Sequence, residues 1–303
     1  AIRLARRGFR VSLFEREKFP RQKLCGEFIS PECFSHFRDL GVFAQMLDAG
    51  GDRITETIFY SPGGRSVSVQ SEWFRATESA LGLSRAEMDL ILLRRAADAG
   101  VEVFEDSQIT GLLTENGKAT GLKTKTGEFE ADLIIDATGR ARILGKLAAK
   151  LTRAEQPASG RKLVGFKAHL RNVSLERGRC EIYFFHGGYG GLNYIEDGQA
   201  NHCFLIDAEV VREFGGDVNT ILKEVVFRNM RAATTLAEAE NVYDWLAVAV
   251  DGFGKRELNP LENLIAVGDA GAFIDPFTGS GMLMAFESAE ILSKAVQTGA
   301  SAE

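Results

Sequence analysis

Leu264-Ile265-Ala266-Val267-Gly268-Asp269-Ala270-Gly271, followed by Asp275-Pro276-Phe277-Thr278-Gly279-Ser280-Gly281-Met282, is the stretch that decides how this chain folds. The apolar run predicts a buried strand that ends on an acid. A loop of small residues follows. From Met282 to Val296 the apolar residues Leu283, Phe286, Ala289, Ile291 and Leu292 recur with helical spacing. A strand that delivers a carboxylate, then a glycine loop that opens a helix, suits a ligand with polyol hydroxyls and an electron-rich ring. Asp269 can accept hydrogen bonds from the hydroxyls. The free N–H groups and the positive dipole end at Gly281 face whatever sits above that helix.

The other end of the chain agrees. Ala1 to Arg7 reads as the last turns of a helix, with Gly8 as its C-cap. Phe9 to Phe14 reads as a short buried strand that ends at Glu15. In a dinucleotide-binding βαβ unit, an acid at the end of the second strand holds the adenosine ribose. The glycine fingerprint of such a unit is expected just before Ala1, so the chain reads as starting inside the first helix. A strand-end acid and a glycine loop at a helix start together suit a dinucleotide that carries polyol hydroxyls and an electron-rich ring. The pyrimidine edge of a reduced flavin carries negative charge that a helix N-terminus stabilises.

The chain has 303 residues, 45% hydrophobic and 26% charged, and a net charge of −6. It can bury a large core in one or two domains. The negative charge argues against a nucleic-acid partner. No apolar run approaches the ~20 residues that span a bilayer. Cys25, Cys33, Cys180 and Cys203 lack metal-ligand spacing and suit a reduced, cytoplasmic chain. No metal site is expected.

Ser30 and Pro31 signal a helix through Phe37. Pro62-Gly63-Gly64 lies between Thr57–Tyr60 and Ser66–Val69 as a hairpin signal. Ser84 caps a strong helix from Arg85 to Ala99, ended by Gly100. Ile109 to Ala131 alternates as a meander, and Asp132 to Asp136 reads as another buried strand before Ala137-Thr138-Gly139. From about Lys162 to Val250 the texture changes to alternating strands with a helix over Val218–Ala232. The expected fold is therefore α/β: a Rossmann-like FAD-binding domain (1–50, 76–160 and 251–303) interrupted by a β-rich α+β substrate domain (51–75 and 161–250). Ligand sites favour such domain junctions.

These motifs resemble those of the FAD-dependent oxidoreductases related to geranylgeranyl reductases, within the class that also holds p-hydroxybenzoate hydroxylase and the flavin-dependent halogenases. The carrying residues are Glu15, Lys23-Leu24-Cys25-Gly26-Glu27, Ser84-Arg85-Ala86-Glu87-Met88-Asp89, Asp136-Ala137-Thr138-Gly139, Gly268-Asp269-Ala270 and Gly279-Ser280-Gly281-Met282. The resemblance implies that Glu15 holds the ribose and that Cys25, Gly26 and Phe28 lie along the flavin. It implies that Arg85 approaches the cofactor, that Ile109 meets the adenine by its backbone, and that Asp269 binds the ribityl or pyrophosphate part. Gly281 and Met282 would cap the pyrimidine edge. Relatives normally continue beyond the position of Glu303.

Two departures bear on chemistry. The aromatic Tyr-x-Trp-x-Phe-Pro-like segment of the reductase branch is replaced here by Gly187-Gly188-Tyr189-Gly190-Gly191-Leu192-Asn193-Tyr194, which argues against a long isoprenoid substrate. Halogenases need a lysine shortly after Gly26-Glu27, and none occurs between Lys23 and Lys118. The leading expectation is a reductase that uses reduced FAD on a C=C bond of a hydrophobic small molecule, with NAD(P)H as electron donor. Cys25 and Glu27 are its leading candidate acids, with His186 and Tyr189 as further candidates, and His186, Tyr189 and Tyr194 would line the substrate cavity. The alternative enzyme is an NAD(P)H-dependent flavin monooxygenase that hydroxylates an aromatic or polyketide ring, which the glycine-rich segment suits. The non-enzymatic alternative is a degenerate flavin-binding module. A lipid substrate would add peripheral membrane contact.

Overall fold

A computed structural model describes residues 1–73, 78–152 and 162–298. The domain boundaries expected at 75–76 and 160–161 fall outside the described residues. The chain forms two compact units. One holds residues 1–21, 90–152 and 253–298; the other holds 22–73, 78–89 and 162–252.

The first unit carries the parallel pairing expected of an α/β fold. Ser12–Phe14 pairs parallel with Glu102–Phe104, and Ile134–Asp136 pairs parallel with Leu264–Ala266. Phe14 stacks on Phe104 at 4.8 Å between ring centroids and meets Phe129 edge-on, also at 4.8 Å. The meander is present as Ile109–Glu115, Lys118–Thr124 and Glu128–Glu130. The first strand is shorter than expected, since Phe9 is exposed and pairing begins at Ser12. The long helix Gly281–Thr298 forms where its spacing predicted, but Ile291 is 65% exposed rather than on its packed stripe.

The second unit is built on an eight-stranded sheet. Lys162–Arg171 is its longest strand and lies second from one edge. It pairs antiparallel with Ala200–Asp207 and with Leu246–Asp251. Gly188–Tyr194, Arg179–Phe185 and the Glu56–Tyr60/Ser66–Gln70 hairpin continue the sheet. Side chains alternate between the faces of a strand. Phe166, Ala168 and Leu170 therefore share one face with His202, Phe204 and Ile206 of the neighbouring strand, and these form the core packed by residues of the Ala208–Glu213, Val218–Glu224 and Met230–Thr235 helices. The single helix expected over Val218–Ala232 is thus two helices. Asn229 caps the second by accepting from the N–H groups of Arg231 and Ala232.

Residues 22–50 and 78–89, expected with the FAD-binding part, fall in this second unit. The reason is strand pairing: Phe28–Ile29 and Asp52–Ile54 both pair with Ala80–Gly82. The early helix runs over Cys33–Leu40, two residues later than Pro31, and has no side-chain cap; Ser30 instead accepts from the Cys33 N–H through its carbonyl.

Candidate functional site: a buried ionic cluster beneath the Cys25–Glu27 loop

On its other face the Lys162–Arg171 strand presents Gly165, Lys167 and His169. The register sets Cys203 beside Lys167 and Asn201 beside His169. Asn193 follows beside Asn201 on the next strand. The segment from Gln22 to Glu27 lies against this face. A Cβ at Gly165 would come within 2.4 Å of the Leu24 side chain, so a larger residue there would have to push that side chain aside.

Glu27 is the centre of the contact. Its side chain and that of Lys167 have no solvent exposure. Lys167 Nζ donates to Glu27 Oε1 at 2.5 Å, to the Gln22 side chain at 3.2 Å and to the Lys23 carbonyl at 3.0 Å. His169 Nε2 lies 2.6 Å from Glu27 Oε2. The Arg85 N–H donates to Glu27 Oε1 at 2.7 Å. Burial pushes the Glu27 carboxyl up, but the His169 hydrogen bond and the Lys167 charge outweigh it and hold the group below its ordinary range. The Glu27 backbone is left-handed, with φ 53°. That conformation costs a non-glycine residue about 1–3 kcal/mol and persists only where its surroundings over-determine it.

The sheet also holds the loop by its carbonyls. Asn201 Nδ2 donates to the Cys25 carbonyl at 3.1 Å, and Asn193 Nδ2 to the Glu27 carbonyl at 3.3 Å. The Leu83 N–H reaches the Glu27 carbonyl too. A second ion cluster stands beside it. Lys23 and Arg85 both pair with Asp89, at 2.5 and 2.9 Å. Burial raises the Asp89 carboxyl, and the two cations more than reverse it, leaving it lowered. Ser84 caps the helix as expected, accepting from the Glu87 N–H at 3.1 Å.

Cys25 is a free, half-buried thiol whose Sγ accepts from the Glu27 N–H at 3.4 Å. Gly26 is exposed, a Cβ there would meet nothing within 4 Å, and Phe28 is half-buried. Of the expected cavity residues, Tyr189 shares the face of Gly165 through its pairing with Leu205. Tyr194 lies on the opposite, helix-packed face and donates to the Val173 carbonyl. His186 is exposed in the turn between strands. The three do not converge on one face of the sheet.

The glycines of that stretch have a packing reason. A Cβ at Gly190 would lie 2.6 Å from Phe204 Cβ, and one at Gly188 would lie 2.1 Å from the Leu205 carbonyl oxygen. On the packed face His202 is fully buried among Tyr183, Phe204 and Trp245, and neither ring nitrogen has a partner among the described residues. Burial pushes its pKa down to about 3.

In the other unit Glu15 ends its strand, and its carboxylate accepts from Arg21 at 3.0 Å and from the Glu17 N–H at 3.1 Å. Asp269 is half-buried in the turn after Leu264–Ala266. That turn is fixed to the long helix, where Gly268 N–H donates to Ser288 Oγ at 2.9 Å. Gly281 and Met282 form the first turn of that helix, and a Cβ at Gly281 would meet nothing within 4 Å. Ile109 is half-buried and packs against the core of this unit. Open space above a helix N-terminus, an acid in the preceding turn and an acid at the end of the Ser12–Phe14 strand fit an FAD cofactor. In the second unit, the open Gly26 and the N–H groups of Leu24, Cys25 and Gly26, unengaged among the described residues, fit a ring with an acceptor edge.

The roles of Lys167, His169, Asn193 and Asn201 and the pairing role of Asp89 lie outside the motifs that the sequence displays. A signal was present: Val164-Gly165-Phe166-Lys167-Ala168-His169-Leu170 sets two ionisable groups two residues apart in an apolar strand, and therefore on one face.

The tryptophan halogenase family profile matches residues 61–156. The tryptophan 2-halogenase of Chondromyces crocatus is 25% identical over 320 residues, covering 98% of this chain and 58% of its own length. A digeranylgeranylglycerophospholipid reductase of Methanosarcina mazei is 25% identical over 307 residues, covering 98% of this chain and 72% of its own length. The chain therefore spans between about half and three quarters of these relatives. A solved triple mutant of a flavin-dependent brominase superposes with a TM-score of 0.84 at 17% identity, covering all of this chain and 77% of that one; the likeness there is one of fold.

Proposed function

On its likeness to FAD-dependent reductases and halogenases, we propose that the chain is an FAD-dependent oxidoreductase of the geranylgeranyl reductase-like kind that reduces a C=C bond of a hydrophobic small molecule, with Cys25 as the proton donor. The observation that carries this reading is the state of the two acids in the Cys25–Glu27 loop. Both Glu27 oxygens are engaged by cationic or N–H groups, and its carboxyl is held ionised. Cys25 is the remaining candidate acid of that loop, a half-buried thiol whose Sγ accepts from the Glu27 N–H.

Bound FAD, once reduced, supplies the hydride. Cys25 holds the proton at Sγ, and the Glu27 N–H orients that sulfur. Glu27 keeps the loop in place and stores no transferable proton. Glu15 and Asp269 would hold the hydroxyls of the cofactor, and Gly281 and Met282 its acceptor edge, as the resemblance implies. NAD(P)H is the proposed donor of electrons.

Halogenation receives less support. The lysines at this loop are held as ion pairs, Lys23 within it with Asp89 and Lys167 of the strand beneath it with Glu27, which removes the free amine that such chemistry needs. The hydroxylase reading rested on the glycine-rich 187–194 segment, and packing against Phe204 and Leu205 accounts for its glycines at 188 and 190. The test uses the full-length protein loaded with FAD and reduced by dithionite without oxygen. Rapid mixing with oxygen should return the oxidised spectrum directly. A transient absorbing species in the presence of aromatic substrates would overturn the reductase reading.

A further inference from the structure

The Gln22–Glu27 segment is fastened to the sheet more tightly than a connecting loop requires. Lys167 alone bridges three points on it: the Gln22 side chain, the Lys23 carbonyl and the Glu27 carboxylate. Removing a lysine from water is costly, and hydrophobic groups of similar size often serve a fold as well or better. A lysine and a glutamate with no exposed surface, on a strand face that also carries His169, therefore call for a reason beyond stability. The Glu27 backbone sharpens the point. Its left-handed turn places the Glu27 carbonyl toward Asn193 and Leu83 while its side chain reaches Lys167 and His169. Without that anchor an extended or helical conformation of residue 27 relaxes the strain and re-aims Cys25 and Gly26.

We infer that Lys167 is a positioning residue: its three bonds to the Gln22–Glu27 segment set the Cys25–Gly26 backbone in the conformation that receives the cofactor ring, with His169 as the second clamp on Glu27. The inference rests on the reading that this loop lies along the flavin. Lys167 itself touches the loop and not the reacting atoms. It acts as a tie-bar between the sheet and the segment.

The experiment compares the full-length protein with Lys167→Met and with the double variant Lys167→Met/Glu27→Gln. Three quantities are read: thermal stability, FAD dissociation constant, and the rate of Cys25 alkylation by iodoacetamide in FAD-free protein, resolved by peptide mass spectrometry. Buried Cys33 and Cys180 serve as internal controls for unfolding. The expected result is that the double variant recovers stability, because no buried charge is left unpaired, while Cys25 still alkylates at least about ten-fold faster than in the parent and FAD binds at least about ten-fold more weakly. If the double variant recovers stability, parental alkylation rate and parental FAD affinity together, Lys167 does no more than neutralise Glu27 and the inference fails. Unchanged alkylation and affinity in a folded Lys167→Met protein also overturn it. Should Lys167→Met not fold, the double variant decides alone. A parent protein that binds no FAD defeats the cofactor reading instead, and the alkylation arm still judges the hold of Lys167 on the loop.

Discussion

The Lys167 ammonium and the Glu27 carboxylate meet at 2.5 Å on a sheet face where neither side chain touches solvent. Breaking such a pair from one side strands a charge, and that costs about 3–5 kcal/mol. Lys167→Met should therefore destabilise the protein by about that amount in denaturant unfolding. Loss of both partners in Lys167→Met/Glu27→Gln should cost clearly less. Equal losses in the two variants would mean that packing, not charge, carries the pair.

Cys25→Ser keeps the size of the side chain and removes the more acidic proton. With Cys25 as the proton donor, turnover should fall by about 100-fold, the lower end of what a positioned acid contributes. FAD content and KM should stay close to those of the parent. Undiminished turnover would assign the proton to another group.

Asp269→Ala tests the cofactor site in the other unit. A hydroxyl bonded to a carboxylate contributes about 1.5–3 kcal/mol, so FAD affinity in the full-length protein should drop about ten- to hundred-fold. Full FAD occupancy at the same protein and cofactor concentrations would remove Asp269 from the site.

His202 predicts an acid sensitivity whose sign is fixed by burial. Its pKa is lowered to about 3 in the fold from an ordinary value of 6.5. Between these values the unfolded chain binds the proton and the folded one does not, so stability falls as pH drops below 6.5. By about pH 4.5 the loss attributable to His202 is about 3 kcal/mol. Glu27 and Asp89, whose carboxyls are lowered, add losses of the same sign at more acidic pH. His202→Leu should flatten the stability profile between about pH 4.5 and 6.5. A variant with the parental slope in that window would show that the imidazole is not buried neutral.

Gly190→Ala separates packing from substrate recognition. The added Cβ would lie 2.6 Å from Phe204 Cβ. Overpacking of this kind costs about 1–3 kcal/mol, and the measured melting temperature should fall accordingly. A stable variant with altered substrate preference would return the glycine-rich segment to the cavity.

The fold and the site were legible to different depths. The apolar runs that lead to Asp136 and Asp269 give away parallel strands, because a strand buried on both faces has no polar alternation to hide it. The Ser84 cap and the Pro62-Gly63-Gly64 turn were equally readable, since each acts through its own backbone neighbours. Residues 22–50 were misallocated because Phe28–Ile29 has only two residues of pairing, and its partner Ala80–Gly82 lies about fifty positions away. Tyr189 and Tyr194 looked like one cavity wall in the sequence, yet an odd separation along a strand puts them on opposite faces.

By itself the sequence determined the classes of element, the position of the acids at strand ends and the presence of a thiol and a carboxylate two residues apart, because those depend on local periodicity and turn chemistry. Only the tertiary structure decided that Glu27 is a buried, ion-paired anchor beside Cys25. The charge state of a carboxyl depends on what is packed against it, and the partners of Glu27 arrive from Lys167 and His169, about 140 residues away in the chain.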